Sequence, residues 1–256
     1  MRLALLAALM AVAAAPASAI IKTRAVEYKH GEVTLSGWAA WEDGFKEKRP
    51  GVLVVHEWWG HGPYARKRAE QLAKQGYTAF ALDMYGKGVL AKDHEEAGKL
   101  AGAFNNDRLA MRERALAGLA ELKKLPFVDP QRLAAIGYCF GGTTVLELAR
   151  AGTDLKGVAS FHGNLASPTP AAETPKAKIL VLHGADDGFV NAALPGFVEE
   201  MRKVKADWQL VQYGGAVHSF TVPEAGNDPS KGMAYDKRAD ERSWKALLAF
   251  FEELFL

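Results

Sequence analysis

Gly137-Tyr138-Cys139-Phe140-Gly141-Gly142 holds the chain's only cysteine. It stands between an apolar run, Arg132 to Tyr138, and a helical pattern from Gly141 to Arg150. The spacing is Gly-x-nucleophile-x-Gly. It predicts a tight strand-to-helix turn that lifts the central side chain above the end of a sheet. Glycines suit such a turn because it is strained and neighbouring backbone passes too close for a Cβ. The start of the following helix carries partial positive charge and free N–H groups, which favour a thiolate at Cys139.

The pattern on either side of the hexapeptide agrees. Val26 to Tyr28 and Val33 to Ala39 read as short strands joined at His30-Gly31. Gly51 to His56 and Tyr77 to Asp83 are apolar runs of the buried-strand type, with a helix, Pro63 to Gln75, between them. Helices are expected over Asp93 to Phe104 and Asp107 to Lys124, then a turn at Asp129-Pro130. Beyond the cysteine come strands Leu155 to Phe161, Lys178 to His183 and Trp208 to Tyr213, and helices Ala193 to Lys205 and Asp236 to Glu253. Alternating strands and helices, with strands apolar throughout, predict an α/β fold: a mostly parallel sheet with helices on both faces. A chain of 256 residues suits one such domain. Ser167 to Lys178, rich in Pro and Ala, reads as a surface loop rather than a boundary.

The N-terminus has a different character. Arg2 is followed by an apolar run, Leu3 to Ala15, and by Ala17-Ser18-Ala19. That is the pattern of a secretory signal peptide, residues 1–19, cleaved after Ala19 and leaving a single domain over 20–256. The run is shorter than the roughly 20 residues a membrane-spanning helix needs. The expected protein is therefore exported, periplasmic in a Gram-negative cell, with no membrane association after cleavage. A net charge of +2, with no basic cluster interleaved with aromatics, argues against a nucleic-acid partner. A monomer is expected. Oxidising compartments favour paired cysteines, so a lone exported thiol is either buried and inert or reactive; the glycine frame favours the second.

A thiol at its reference value, about 8.5, needs a base, and the base needs a group to orient it. Asp186 and Asp187 follow the strand ending at His183-Gly184, and His218 follows the strand ending at Tyr213. Both lie in loops after parallel strands, where such sheets carry their sites. Glu57 ends another strand, within His56-Glu57-Trp58-Trp59-Gly60; bulky neighbours would desolvate it and raise its pKa. The N–H groups of Phe140 and Trp58 are the expected oxyanion donors. No G-x-G-x-x-G follows the first strands and no H-x-x-x-H accompanies Glu57, so neither a dinucleotide nor a metal is expected. No cofactor is expected at all.

Five segments, in order, now carry a resemblance. They are His56 to Gly60, Asp83-Met84-Tyr85-Gly86, Gly137 to Gly142, His183 to Val190 and Gly215 to Phe220. The chain resembles the dienelactone hydrolase family of α/β-hydrolases over nearly all of residues 20–256. The resemblance implies the α/β-hydrolase fold, with Cys139 as nucleophile, His218 as base and Asp187 rather than Asp186 as acid. It also implies that Glu57 takes the thiol proton when substrate displaces it. Family members acting on dienelactones hold a carboxylate with arginines, where this chain has Val222 and His94. A less charged small ester or lactone is the expected substrate. Trp59, Tyr85, Tyr138, His162, Phe189 and Val222 are the expected pocket residues, whereas His56 and His183 read as packed structural histidines. Two alternatives keep the fold: an exported binding protein without catalysis, and acyl transfer to an acceptor other than water.

Overall fold

Apolar residues at every position of Val52-Leu53-Val54-Val55 leave this strand nowhere to lie but the middle of a covered sheet. Val52 and Val54 pack into one core and Leu53 and Val55 into the other, as the two-residue period of a strand requires. The computed structural model describes residues 20–256; the signal peptide assigned to 1–19 lies outside the described residues. An eight-stranded sheet is built from β1 (Ile21–His30), β2 (Val33–Glu42), β3 (Arg49–Val55), β4 (Thr78–Leu82), β5 (Val128–Tyr138), β6 (Gly157–Phe161), β7 (Lys178–Gly184) and β8 (Trp208–Tyr213). Their spatial order is β1-β2-β4-β3-β5-β6-β7-β8. β1 and β2 form an antiparallel hairpin, β2 joins β4 antiparallel, and every other pairing is parallel.

Six helices cover the sheet: α1 (Pro63–Lys74), α2 (His94–Asn105), α3 (Arg108–Lys124), α4 (Phe140–Arg150), α5 (Leu194–Lys203) and α6 (Lys237–Phe255). Leu72 of α1 and Phe251 of α6 share a core with Val52, Ile136 and Leu182. Met111 of α3, Val145 of α4 and Phe197 of α5 share the other with Leu53, Ala135 and Val181. The helices expected at Asp93, Asp107 and Asp236 begin one residue later. Each aspartate is the N-cap, accepting a hydrogen bond from the backbone of Glu96, Ala110 or Ala239.

Strand boundaries differ from expectation most at the first hairpin and at β5. β1 and β2 are ten residues each, in unbroken register from Ile21–Glu42 to His30–Val33. β1 carries exposed Lys22, Arg24, Glu27 and Lys29 along its length, so pairing with β2 rather than apolar alternation defines it. The expected turn at Asp129-Pro130 lies inside β5. The register with β3 jumps from Pro50–Asp129 to Gly51–Leu133, so the residues between bulge out. Asp129 holds the bulge by accepting from the Gln131 N–H at 3.0 Å and the Arg132 Nε at 2.8 Å.

The β5–α4 turn packs against β3 with no room to spare. A Cβ on Gly141 would lie 2.2 Å from the Val55 carbonyl oxygen, and one on Gly137 would lie 2.0 Å from the Gly141 carbonyl oxygen. Gly141→Ala is therefore expected to cost about 3 kcal/mol or more in a denaturant titration. Gly98→Ala is the control: it lies exposed within α2, with nothing within 4 Å of the new methyl, and should stabilise by up to about 1 kcal/mol.

Candidate active site

Cys139 sits between β5 and α4 at φ 52° and ψ −113°. A side chain rarely adopts that left-handed backbone, and it is held only because the surroundings over-determine it. Its thiol is partly exposed. The Sγ lies 3.2 Å from His218 Nε2, and His218 Nδ1 lies 2.8 Å from Asp187 Oδ2. Asp187 is fully buried. Its carboxylate accepts from His218 Nδ1, which turns Nε2 toward the sulfur, and Oδ1 accepts from the Phe189 N–H at 3.0 Å. Asp186 is exposed and contributes its backbone N–H to the Ala216 carbonyl. His218 itself is pinned by its N–H to Gly232 O and its carbonyl to Ala234 N.

Burial opposes a charge on His218, but the adjacent Cys139 sulfur and the Asp187 carboxylate outweigh it and hold the imidazole up at about 10. Glu57 is buried at 6% exposure, and its Oε1 has no hydrogen-bond partner among the described residues. Burial pushes its carboxyl up to about 7, against the pull of the His218 charge. No hydrogen bond joins Glu57 to Cys139, because the Sγ is turned to His218. The N–H groups of Trp58 and Phe140, the first from the loop after β3 and the second from the first turn of α4, make no hydrogen bond to the described residues.

The expected pocket residues divide. Trp59 and Val222 line a cavity of about 590 Å³ together with Glu57, Trp58, His94 and Met233. Tyr138 does not. It is fully buried under the turn, stacked on Phe161 with ring centroids 4.6 Å apart, because its position in β5 points away from the sulfur into the α1–α6 core. His162 is 1% exposed and likewise lies beneath the site. Tyr85 supports the wall from behind: its hydroxyl donates to the Trp58 carbonyl at 3.1 Å. Phe189 is 64% exposed and sets its ring against His218, with centroids 5.7 Å apart. His56 is structural, its Nδ1 on the Glu57 carbonyl and its Nε2 accepting the Met84 N–H. His183 Nε2 binds Asn191 Oδ1.

His162 belongs to a buried chain of hydrogen bonds that sequence spacing does not reveal. Its Nδ1 accepts the Cys139 N–H at 3.2 Å, so its Nε2 donates to Thr221 Oγ1 at 2.8 Å. The same hydroxyl meets Tyr64 Oη at 2.7 Å, and Arg68 Nε donates to Tyr64 Oη at 3.1 Å. Arg68, 5% exposed, closes the chain on Asp240 at 2.6 Å. The nucleophile turn, the His218 loop, α1 and α6 are thereby tied together. Tyr64 and Arg68 stand at i and i+4 on α1, and only that shared face hints at their partnership. Among the described residues, no group of three or more His, Cys, Asp or Glu side chains is placed to hold a metal ion.

The model of the dienelactone hydrolase family matches residues 36–255. Among solved structures, P91, a dienelactone hydrolase-like promiscuous phosphotriesterase from metagenomic libraries, is 39% identical. It superposes with a TM-score of 0.87 over 92% of this chain and 99% of its own. A second structure, m3DLH, is 40% identical with a TM-score of 0.89 over 92% of this chain and 99% of its own. Uncharacterized protein K02A2.1 of Caenorhabditis elegans is 40% identical over 152 residues, 57% of this chain and 94% of that protein. The chain belongs to the dienelactone hydrolase family, within the α/β-hydrolase superfamily.

Thr221→Val keeps the shape of the side chain but leaves His162 Nε2 and Tyr64 Oη without their shared oxygen. The expected loss is about 2 kcal/mol in a urea titration, and Thr221→Ser should recover most of it.

Proposed function

We propose that this member of the dienelactone hydrolase family hydrolyses small carboxylic esters or lactones through a thioester acyl-enzyme at Cys139. The arrangement that carries the reading is the sulfur 3.2 Å from His218 Nε2, with Asp187 buried 2.8 Å from the other ring nitrogen. The Cys139 thiolate attacks the ester carbonyl, and the oxygen that gains charge is met by the Phe140 and Trp58 N–H groups. Collapse of the tetrahedral adduct breaks the C–O bond, and His218 Nε2–H protonates the leaving alkoxide. The neutral imidazole then takes a proton from water, whose oxygen attacks the thioester. Thiolate leaves, and the thiolate–imidazolium pair is restored. Glu57 accepts the thiol proton when entering substrate crowds it and returns it to the sulfur as product leaves, so a charged Glu57 is the competent form. A silent binding protein would need neither the Asp187–His218 bond nor an unpartnered carboxylate facing the cavity. Acyl transfer would share the first half of this sequence and diverge only at the attacking hydroxyl.

A second reading rests on P91, which is described as a promiscuous phosphotriesterase and is 39% identical to this chain. Attack of the same thiolate on phosphorus would expel an aryloxide that His218 protonates, and water would then cleave the S–P bond and release the thiolate; a phosphotriester belongs in the substrate panel for that reason. We further propose that residues 1–19 are a cleaved leader, that the enzyme works as an exported monomer, and that it needs no cofactor.

A panel of aryl acetates and lactones tests the central reading. Cys139→Ala should lower kcat/KM by about a thousandfold or more, and unchanged turnover would overturn it. The pH profile tests Glu57. Its carboxyl is protonated below about 7 and charged above, so kcat/KM should climb as pH rises through 7. Glu57→Gln should remove that limb; a limb left in place defeats the role. Expression of the whole chain in a Gram-negative host tests export. A periplasmic protein whose mass begins at Ile20 is expected, and an uncut cytosolic chain would refute the leader.

A further inference from the structure

The cavity onto which Glu57 opens, bordered by Ser219 next to the His218 base, carries an uneven balance of groups. Its wall includes Glu57, Trp58, Trp59, His94, Glu224 and Lys231, and no arginine. The rings of Trp58, Trp59 and His94 meet one another edge to face, with centroids 5.3, 5.6 and 5.1 Å apart. Both indoles are half-buried. Glu57 presents an oxygen without a partner among the described residues, although the residue is only 6% exposed. Glu224 lies in the short helical turn Pro223–Ala225, exposed, with no salt bridge among the described residues. The one ammonium on the wall, Lys231, faces Asp228 at 3.7 Å. Glu57 and Glu224 therefore bring two carboxyl groups to the cavity, set against the His218 charge behind Glu57 and a Lys231 ammonium that Asp228 already faces.

Such a wall treats charges unequally. Indole faces attract ammonium groups, most strongly quaternary ones. A cleft lined by one sign of charge concentrates the opposite sign. A carboxylate entering it would lose hydration and meet on the wall no guanidinium, and only the Lys231 ammonium that already faces Asp228. We propose that the cavity selects ester substrates by charge, favouring an aryl ester that bears a quaternary ammonium over its carboxylate counterpart, with Glu224 as the specificity-determining residue. The proposal rests on the ester-hydrolase reading above. Glu224 already acts across this space: after burial, its charge is among the influences that raise the Glu57 carboxyl.

Three phenyl acetates provide the test, substituted at the meta position with trimethylammonium, tert-butyl or carboxylate. Their kcat/KM values are compared between the wild-type chain and Glu224→Gln, so the intrinsic reactivity of each ester cancels. The cation-to-anion ratio should fall by about three- to fivefold in the variant, with the tert-butyl ester unchanged within about twofold. In the wild type, the same ratio should shrink at high salt. A ratio indifferent to Glu224→Gln overturns the assignment. Calorimetric titration of Cys139→Ala with phenyltrimethylammonium and with benzoate asks the question without turnover. Tighter binding of the cation, weakened by adding Glu224→Gln, is expected. Hydrolysis of all three esters with no charge preference in either measurement defeats the selectivity alone. No hydrolysis of any ester, with the cation still preferred in the titration, defeats the ester reading and leaves the selectivity standing.

Discussion

A cysteine at φ 52° would relax to an ordinary backbone if it could. It is prevented by close packing on both sides. Gly141 presses its Cα toward the Val55 carbonyl, and Gly137 passes equally close to the Gly141 carbonyl. The strained turn is thus wedged between the end of β3 and the first turn of α4. Its stability comes from the sheet, in which β3 and β5 are central and covered on both faces. The sulfur reaches His218 because this wedge aims it there.

Much of this was legible in sequence, for physical reasons. A central parallel strand must be apolar on both faces, so β3, β4 and β7 announced themselves by composition. The glycines at 137 and 141 were legible because a tight turn leaves no room for a Cβ. Chain order, with the acid and the histidine in loops after later strands, brings Asp186 or Asp187 and His218 to the same sheet edge, and the family resemblance singles out Asp187. The parts that could not be read depend on which way a side chain turns. Tyr138 and His162 flank the site in sequence, yet both face the core. Period-two alternation puts Tyr138 below the sheet, while His162, at φ 40°, is bent under Cys139 to receive its N–H. The hairpin of β1 and β2 is longer than its apolar alternation predicts because an exposed edge strand is defined by its partner rather than by apolar residues.

The buried chain from Cys139 to Asp240 joins elements that are distant in sequence. Thr221 lies three residues beyond His218, and its hydroxyl serves both His162 and Tyr64. The loop that carries the base is therefore anchored to the same atoms that anchor the nucleophile's backbone. Relative motion of the two would break buried hydrogen bonds, each expensive to leave unmade. Arg68 extends the anchor to α1 and, through Asp240, to α6. A helix at the far end of the chain thus bears on the geometry of the reacting pair.

Phe189 gives the base an outer boundary only one ring thick. Its phenyl group is 64% exposed and lies with its centroid 5.7 Å from that of His218, while His162 closes the imidazole from within at 5.3 Å. The imidazole is 8% exposed. On that side the base is covered by an aromatic ring that itself faces solvent. A proton gained or lost at His218 therefore has a short way to travel, and the site can reset its charge after each turnover without the fold having to open.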